Sequence, residues 1–147
     1  MTQEFVTYDQ ALALKELGFN KPCLGFYDGK ENQQVYFNIK RDASGDFIPF
    51  TKHERLTWFG APLYQQAFRW FREKYNLHAE ITWSPSYEYE PGEWSDAIYE
   101  ITFVDVSYTK EWKAEAPDMQ RANGEQLTYE EAEHACLDKL IEICKNK

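Results

Sequence analysis

The chain is short of the residues that build familiar ligand and redox sites. Its seven glycines form neither a GxGxxG nor a Walker pattern, which excludes the common glycine-rich phosphate loops. Its three cysteines, Cys23, Cys136 and Cys144, are odd in number and lack CxxC spacing, so neither a disulfide framework nor a zinc cage is indicated. Buried, inert thiols are expected instead. Basic residues are scarce, 16 against 25 acidic ones, for a net charge of −9. Binding to a nucleic-acid backbone runs on clustered Lys and Arg, so direct nucleic-acid binding is not expected. No segment approaches the roughly 20 apolar residues needed to span a bilayer. The opening MTQEFVTYDQ has neither the basic start nor the apolar run of a signal peptide. Together these point to a cytoplasmic protein that does not engage a membrane.

What is present suits a packed core. With 43% hydrophobic and 17% aromatic residues in 147, the chain can bury one core, and a single domain over 1–147 is expected. The weakly patterned stretches 41–60 and 110–126 mix charges with Pro, Trp and Phe and lack the bias of a flexible tether, so they read as long surface loops.

Two helices announce themselves by their first turns. TYDQALALKELGF places Gln10 three residues after Thr7, and TYEEAEHACLDKLIEICK places Glu131 three residues after Thr128. Each pair is a capping box. The first helix is expected to stop near Leu17, because Gly18 can take the left-handed conformation that closes a helix. The second runs close to the C-terminus. A third helix lies in APLYQQAFRWFREKY. At 100° per residue, Leu63, Tyr64, Ala67, Phe68, Trp70, Phe71 and Tyr75 fall on one arc, and Gln65, Gln66, Arg69, Arg72 and Glu73 on the other. Lys74 intrudes on the apolar edge with a stem long enough to snorkel past it. Pro62 is expected in the first turn, where a missing N–H costs nothing.

The strands come as two hairpins. CLGFYDGKENQQVYFNIK gives strands near Cys23–Tyr27 and Gln34–Ile39 around a turn with Asp28 and Gly29. In AEITWSPSYEYEPGEWSDAIYEITFVDVSY, Pro91 and Gly92 suit the centre of a type II turn. Closing there would set Tyr89 opposite Trp94, Trp83 opposite Glu100 and Ile81 opposite Thr102. That register puts Ile81, Trp83, Tyr87 and Tyr89 on one face and Tyr99, Ile101 and Phe103 on the other, so both faces would need cover. The expected fold class is α+β, in the order α-β-β-α-β-β-α, with one mostly antiparallel sheet packed with helices.

Candidate binding residues cluster in the second hairpin. Trp83, Tyr87, Tyr89 and Trp94 are interleaved with Glu88, Glu90, Glu93 and Asp96 and with no basic residue. Aromatic rings amid charge are typical of protein-recognition surfaces, unless the segments holding Trp58 or Trp112 fold over them. Arg69 and Arg72, on the outer arc of the middle helix, and Arg55 are the cations that could hold phosphate if the rings stacked a nucleotide. Glu130, His134 and Asp138 share one face of the last helix, and Glu131 with His134 makes an ExxH. A carboxylate metal site needs a second ligand set from another helix, and none is evident. His53 and His78 have no recognisable nucleophile partner. No catalytic residue, cofactor or metal site is assigned.

The blocks TYDQALALKELGF, APLYQQAFRWFREKYNL and TYEEAEHACLDKLIEICK, in that order, resemble recurring blocks of small proteins from phages and prophages of gut Bacteroidota, crAss-like phages among them. They cover somewhat under half of the chain. The resemblance implies a setting, a phage-encoded accessory protein in the cytoplasm of a bacterial host, and it carries no activity to any residue. With the acidic aromatic hairpin, it leads to the expectation of a non-catalytic protein that blocks or sequesters a host component in counter-defence, the partner being a host protein or a nucleotide-like small molecule. The alternatives are a structural or assembly protein that self-associates as a homo-oligomer, and a small nucleotide-processing enzyme.

Overall fold

The computed structural model describes residues 4–29, 33–37, 41–46, 57–84, 88–94, 98–105, 111–114 and 128–146. The fold is α+β. Its elements are α1 (Tyr8–Glu16), β1 (Gly25–Tyr27), β2 (Tyr36–Phe37), β3 (Phe59–Ala61), α2 (Tyr64–Tyr75), β4 (Leu77–Ser84), β5 (Glu88–Glu90), β6 (Glu93–Trp94), β7 (Ile98–Asp105), β8 (Glu111–Ala114) and α3 (Tyr129–Lys145). Two compact units divide the chain: Met1–Trp70 with Ile141–Lys147, and Phe71–Leu140.

The helix starts follow their capping chemistry. Thr7 Oγ1 accepts from the Gln10 backbone N–H at 3.4 Å, and Gln10 Oε1 accepts from the Thr7 N–H at 3.2 Å. Thr128 and Glu131 repeat the exchange at 3.2 and 2.8 Å. α1 ends on Leu17, with Gly18 at φ 91°. α2 begins at Tyr64, so Pro62 precedes the helix rather than opening it. The proline carbonyl is engaged elsewhere, accepting from Val6 N–H at 3.0 Å beside the Phe5–Leu63 bridge. The arc expected for α2 is present: Tyr64, Ala67, Trp70 and Phe71 are buried, while Gln65, Arg69, Arg72 and Glu73 are exposed. Lys74 is exposed, its Nζ 5.8 Å from the Tyr75 ring centre. Asn76, at φ 55°, is the single residue between α2 and β4. Its left-handed conformation, which Asn tolerates better than most residues, turns the chain straight from helix to strand.

The first unit holds a three-stranded antiparallel sheet in the order β2-β1-β3. β3 lies in a stretch read from sequence as loop. Three residues centred on Gly60 carry too little pattern to announce a strand, and pairing with β1 makes one of them. On one side of this sheet, aromatic rings meet edge to face: Tyr8 packs 5.3 Å from both Tyr27 and Phe59, and Phe5 5.5 Å from Phe37. Tyr27 donates its hydroxyl to the buried Val6 carbonyl at 2.7 Å. Tyr64 donates to Gln10 Oε1 at 2.9 Å, so the one glutamine side chain caps α1 and accepts from α2. Tyr27→Phe is expected to leave the Val6 carbonyl without this donor and to cost about 1–2 kcal/mol. A urea unfolding curve reads the shift, and an unchanged midpoint would show that the bond contributes nothing net.

The second unit holds an antiparallel sheet in the order β4-β7-β8 and a two-stranded ladder, β5-β6. The expected hairpins are both present, but they belong to separate sheets rather than to one. β8 was also read as loop. Its four residues, Glu111–Ala114, pair with Val104–Ile101. On α3 the buried residues Ala132, Cys136, Leu137, Leu140, Ile141 and Cys144 form one stripe, as a 3.6-residue period demands.

Candidate interaction surface

The register of the second hairpin differs by one residue from the sequence expectation. Glu90 pairs with Glu93 around Pro91 and Gly92, as a turn at that pair requires, and Gly92 has φ 84°. Between Glu90 and Glu88 the ladder slips, and Glu88 rather than Tyr89 stands opposite Trp94. Two residues on one strand then answer one on the other, which is the definition of a β-bulge. The longer ladder keeps the slipped register: Trp83 pairs with Tyr99, Ile81 with Ile101 and Ala79 with Phe103.

A slip of one residue moves a whole row of side chains to the other face. Directly paired residues share a face, so Ala79, Ile81 and Trp83 stand on the same face as Tyr99, Ile101 and Phe103. The expected separation of the β4 row from Tyr99, Ile101 and Phe103 is overturned, while Val104 and Ile98 of β7 stand on the other face, opposite His78 and Ser84. β8 extends the row, with Phe103 opposite Trp112 and Ile101 opposite Ala114. Trp112 is thus a strand position rather than part of a covering loop. The other face carries His78, Glu80 and Thr82 of β4, all exposed, opposite Val104, Thr102 and Glu100 of β7.

Along β4 the apolar row opens progressively. Leu77 is fully buried, Ala79 and Ile81 are half-buried, and Trp83 is 46% exposed. At the tip, Glu88, Glu90 and Glu93 are exposed. Glu88 also has a structural part, since its Oε1 accepts from the Gly92 N–H at 2.8 Å across the turn. Tyr89 and Trp94 are placed as strand positions at the bulge. Tyr87, Asp96 and Arg55 lie outside the described residues. Arg69 and Arg72 are exposed on α2.

Charge is one-sided in this region. Between Lys74 and Lys110 the sequence has no Lys or Arg, while Glu80, Glu88, Glu90, Glu93, Asp96, Glu100 and Asp105 supply seven carboxylates. Such a run projects a negative potential that favours basic partners and disfavours acidic ones.

A second aromatic feature escaped sequence reading. Phe26 on β1 stacks against Trp58 (centroids 4.6 Å apart, planes 16° apart) and against Tyr36 on β2 (5.7 Å, 24°). Phe26 pairs with Gly60 on β3. The three rings come from three segments, so no local pattern reveals the stack.

His134 Nδ1 lies 3.5 Å from Asp138 Oδ2 on an exposed part of α3. Among the described residues no group of three or more His, Cys, Asp and Glu could hold a metal ion. Among them, too, no helix is long and apolar enough to cross a membrane. Burial pushes the Cys23 and Cys136 thiols up to about 12, with Glu133 adding to the effect at Cys136. Both stay protonated at neutral pH, which is wrong for a nucleophile.

Glu133 itself is raised, first by burial and then by repulsion from Glu130. An acid held above its unfolded value favours the folded state only while protonated. That contribution is present below the unfolded pKa and is lost as pH rises through the folded one, leaving a partly buried charge as a penalty. Glu133→Gln is therefore expected to raise the thermal midpoint at neutral pH and to change it little in acid, where both side chains are neutral. A larger gain in acid than at neutral pH would contradict the assignment.

The chain matches no protein-family model, no curated protein and no solved structure.

Proposed function

We propose that this chain is a non-catalytic binding protein, of the phage accessory kind, that blocks or sequesters a host component through its second hairpin. The observation that carries this reading is the one-sided apolar row on β4, which is buried at Leu77 and 46% exposed at Trp83. Large aromatic side chains at a surface, rimmed by charge, are where protein interfaces concentrate their binding energy. The rim here is acidic, with Glu88, Glu90 and Glu93 exposed at the tip of the same hairpin. A protein partner is preferred to a nucleotide, because the region between Lys74 and Lys110 has no cation to meet phosphate.

The test is affinity capture from a bacterial host lysate. It compares the intact chain with a Trp83→Ala, Tyr89→Ala, Trp94→Ala variant shown to be folded by circular dichroism. A specific host protein retained by the intact chain and lost by the variant is expected. Equal retention by both would remove the hairpin as the contact surface.

A further inference from the structure

β4 is an edge strand among the described residues. Among the described residues its ladder partner is β7, in an unbroken run of eight pairs from Leu77–Asp105 to Ser84–Ile98. In any edge strand, alternate backbone N–H and C=O groups point away from the neighbour and can template a further strand. Proteins commonly blunt such edges with lysine, proline, a bulge or a very short strand. β4 has none of these: LHAEITWS contains no Lys and no Pro, its pairing has no register shift, and it is eight residues long.

We propose that the β4 edge takes up an extended, basic segment of a partner protein as an additional strand. This deepens the binding reading above and rests on it. The docked strand would alternate. Its apolar positions would join the row of Ala79, Ile81 and Trp83, and its basic positions would lie on the face of Glu80. Charge complementarity identifies the occupant. A second copy of this chain would bring its own Lys/Arg-free stretch with seven carboxylates against this one, and like charges across an interface disfavour that pairing. A lysine- or arginine-bearing strand meets the same field as attraction. Strand addition draws affinity from the main chain and specificity from alternate side chains, and β4 presents the two faces this requires, one apolar and one polar.

The experiment uses the full chain and synthetic peptides in which lysine and valine alternate. The unmodified peptide is compared with one N-methylated at every second residue, which keeps the charge but removes the donors along one edge. A third peptide replaces lysine with glutamate. The unmodified lysine peptide is expected to bind at least about tenfold more tightly than either of the others, because two or more main-chain hydrogen bonds or the charge match are lost. Glu80→Lys, at an exposed position on the polar face of β4, is expected to weaken it severalfold, while Glu142→Lys, at an exposed position on α3, leaves it unchanged. Equal binding of the methylated and unmodified peptides would overturn strand addition, as would no binding of any peptide. So would a dimer of the free chain whose dissociation peptide binding requires, since a second copy would then hold the edge. None of these results touches the lysate capture that tests the binding function, so the two can fail separately.

Discussion

Alkylation of Cys23 and Cys136 in the native protein is expected to run about a thousandfold slower than in the unfolded chain. The magnitude follows from the thiolate fraction. Raising a thiol from 9.0 to about 12, as burial does at Cys23 and Cys136, removes roughly three powers of ten of the reactive anion at any pH below both values. Steric exclusion acts in the same direction, since Cys23 is 1% exposed, Cys136 0% and Cys144 7%. The Cys23 Sγ also has a partner, the Lys21 carbonyl oxygen at 3.3 Å. Mass spectrometry after a timed pulse of iodoacetamide reads the result: no label in buffer, and three labels in denaturant. A thiol that reacts in buffer as fast as a free one would show that its surroundings are not those described. The same behaviour makes labelling a measure of unfolding, with Cys23 reporting on the first unit and Cys136 on the second.

Phe71→Ala is expected to cost about 3–5 kcal/mol of stability, the range for deleting a fully buried aromatic ring. The side chain is fully buried, and its ring centre lies 5.9 Å from that of Tyr75 one turn along α2. Domains of this size are stable by only about 5–15 kcal/mol, so the substitution takes a large part of the whole. Arg72→Ala, one position further on but exposed, is the control and should stay within about 0.5 kcal/mol. Urea midpoints of the two variants make the comparison. A similar loss at both positions would mean that α2 does not bury the face that the structure assigns to it. The contrast also separates two roles within APLYQQAFRWFREKY: most of its aromatic rings are core, and its arginines are surface.

The binding reading and the strand-addition inference both depend on the hairpin register. Had Trp83 paired with Glu100, the aromatic positions of β4 and β7 would lie on opposite faces and neither face would be continuous. The slip at Tyr89 sets Ile81 opposite Ile101 and Trp83 opposite Tyr99, and puts His78, Glu80 and Thr82 of β4 on the other face, opposite Val104, Thr102 and Glu100. A single bulge at the tip thus puts the apolar positions of β4 on the same face as Tyr99, Ile101 and Phe103 of β7, with Ile98 and Val104 on the other.

What the sequence determined by itself was whatever can be decided within a few residues. The capping boxes at Thr7–Gln10 and Thr128–Glu131, the stop at Gly18 and the buried arc of α2 involve neighbours one turn apart, and a helix satisfies its hydrogen bonds locally. The turn at Pro91 and Gly92 was legible for the same reason. The tertiary structure alone decided three things. It made strands of β3 and β8, whose three and four residues have no pattern strong enough without a neighbour. It brought Tyr36, Phe26 and Trp58 into one stack. It set the register of β4 against β7, and so the face on which the candidate surface lies. The physical reason is common to all three: strand pairing and ring stacking join residues far apart in sequence. With a side-chain period of two, one extra residue in a turn reverses every face beyond it.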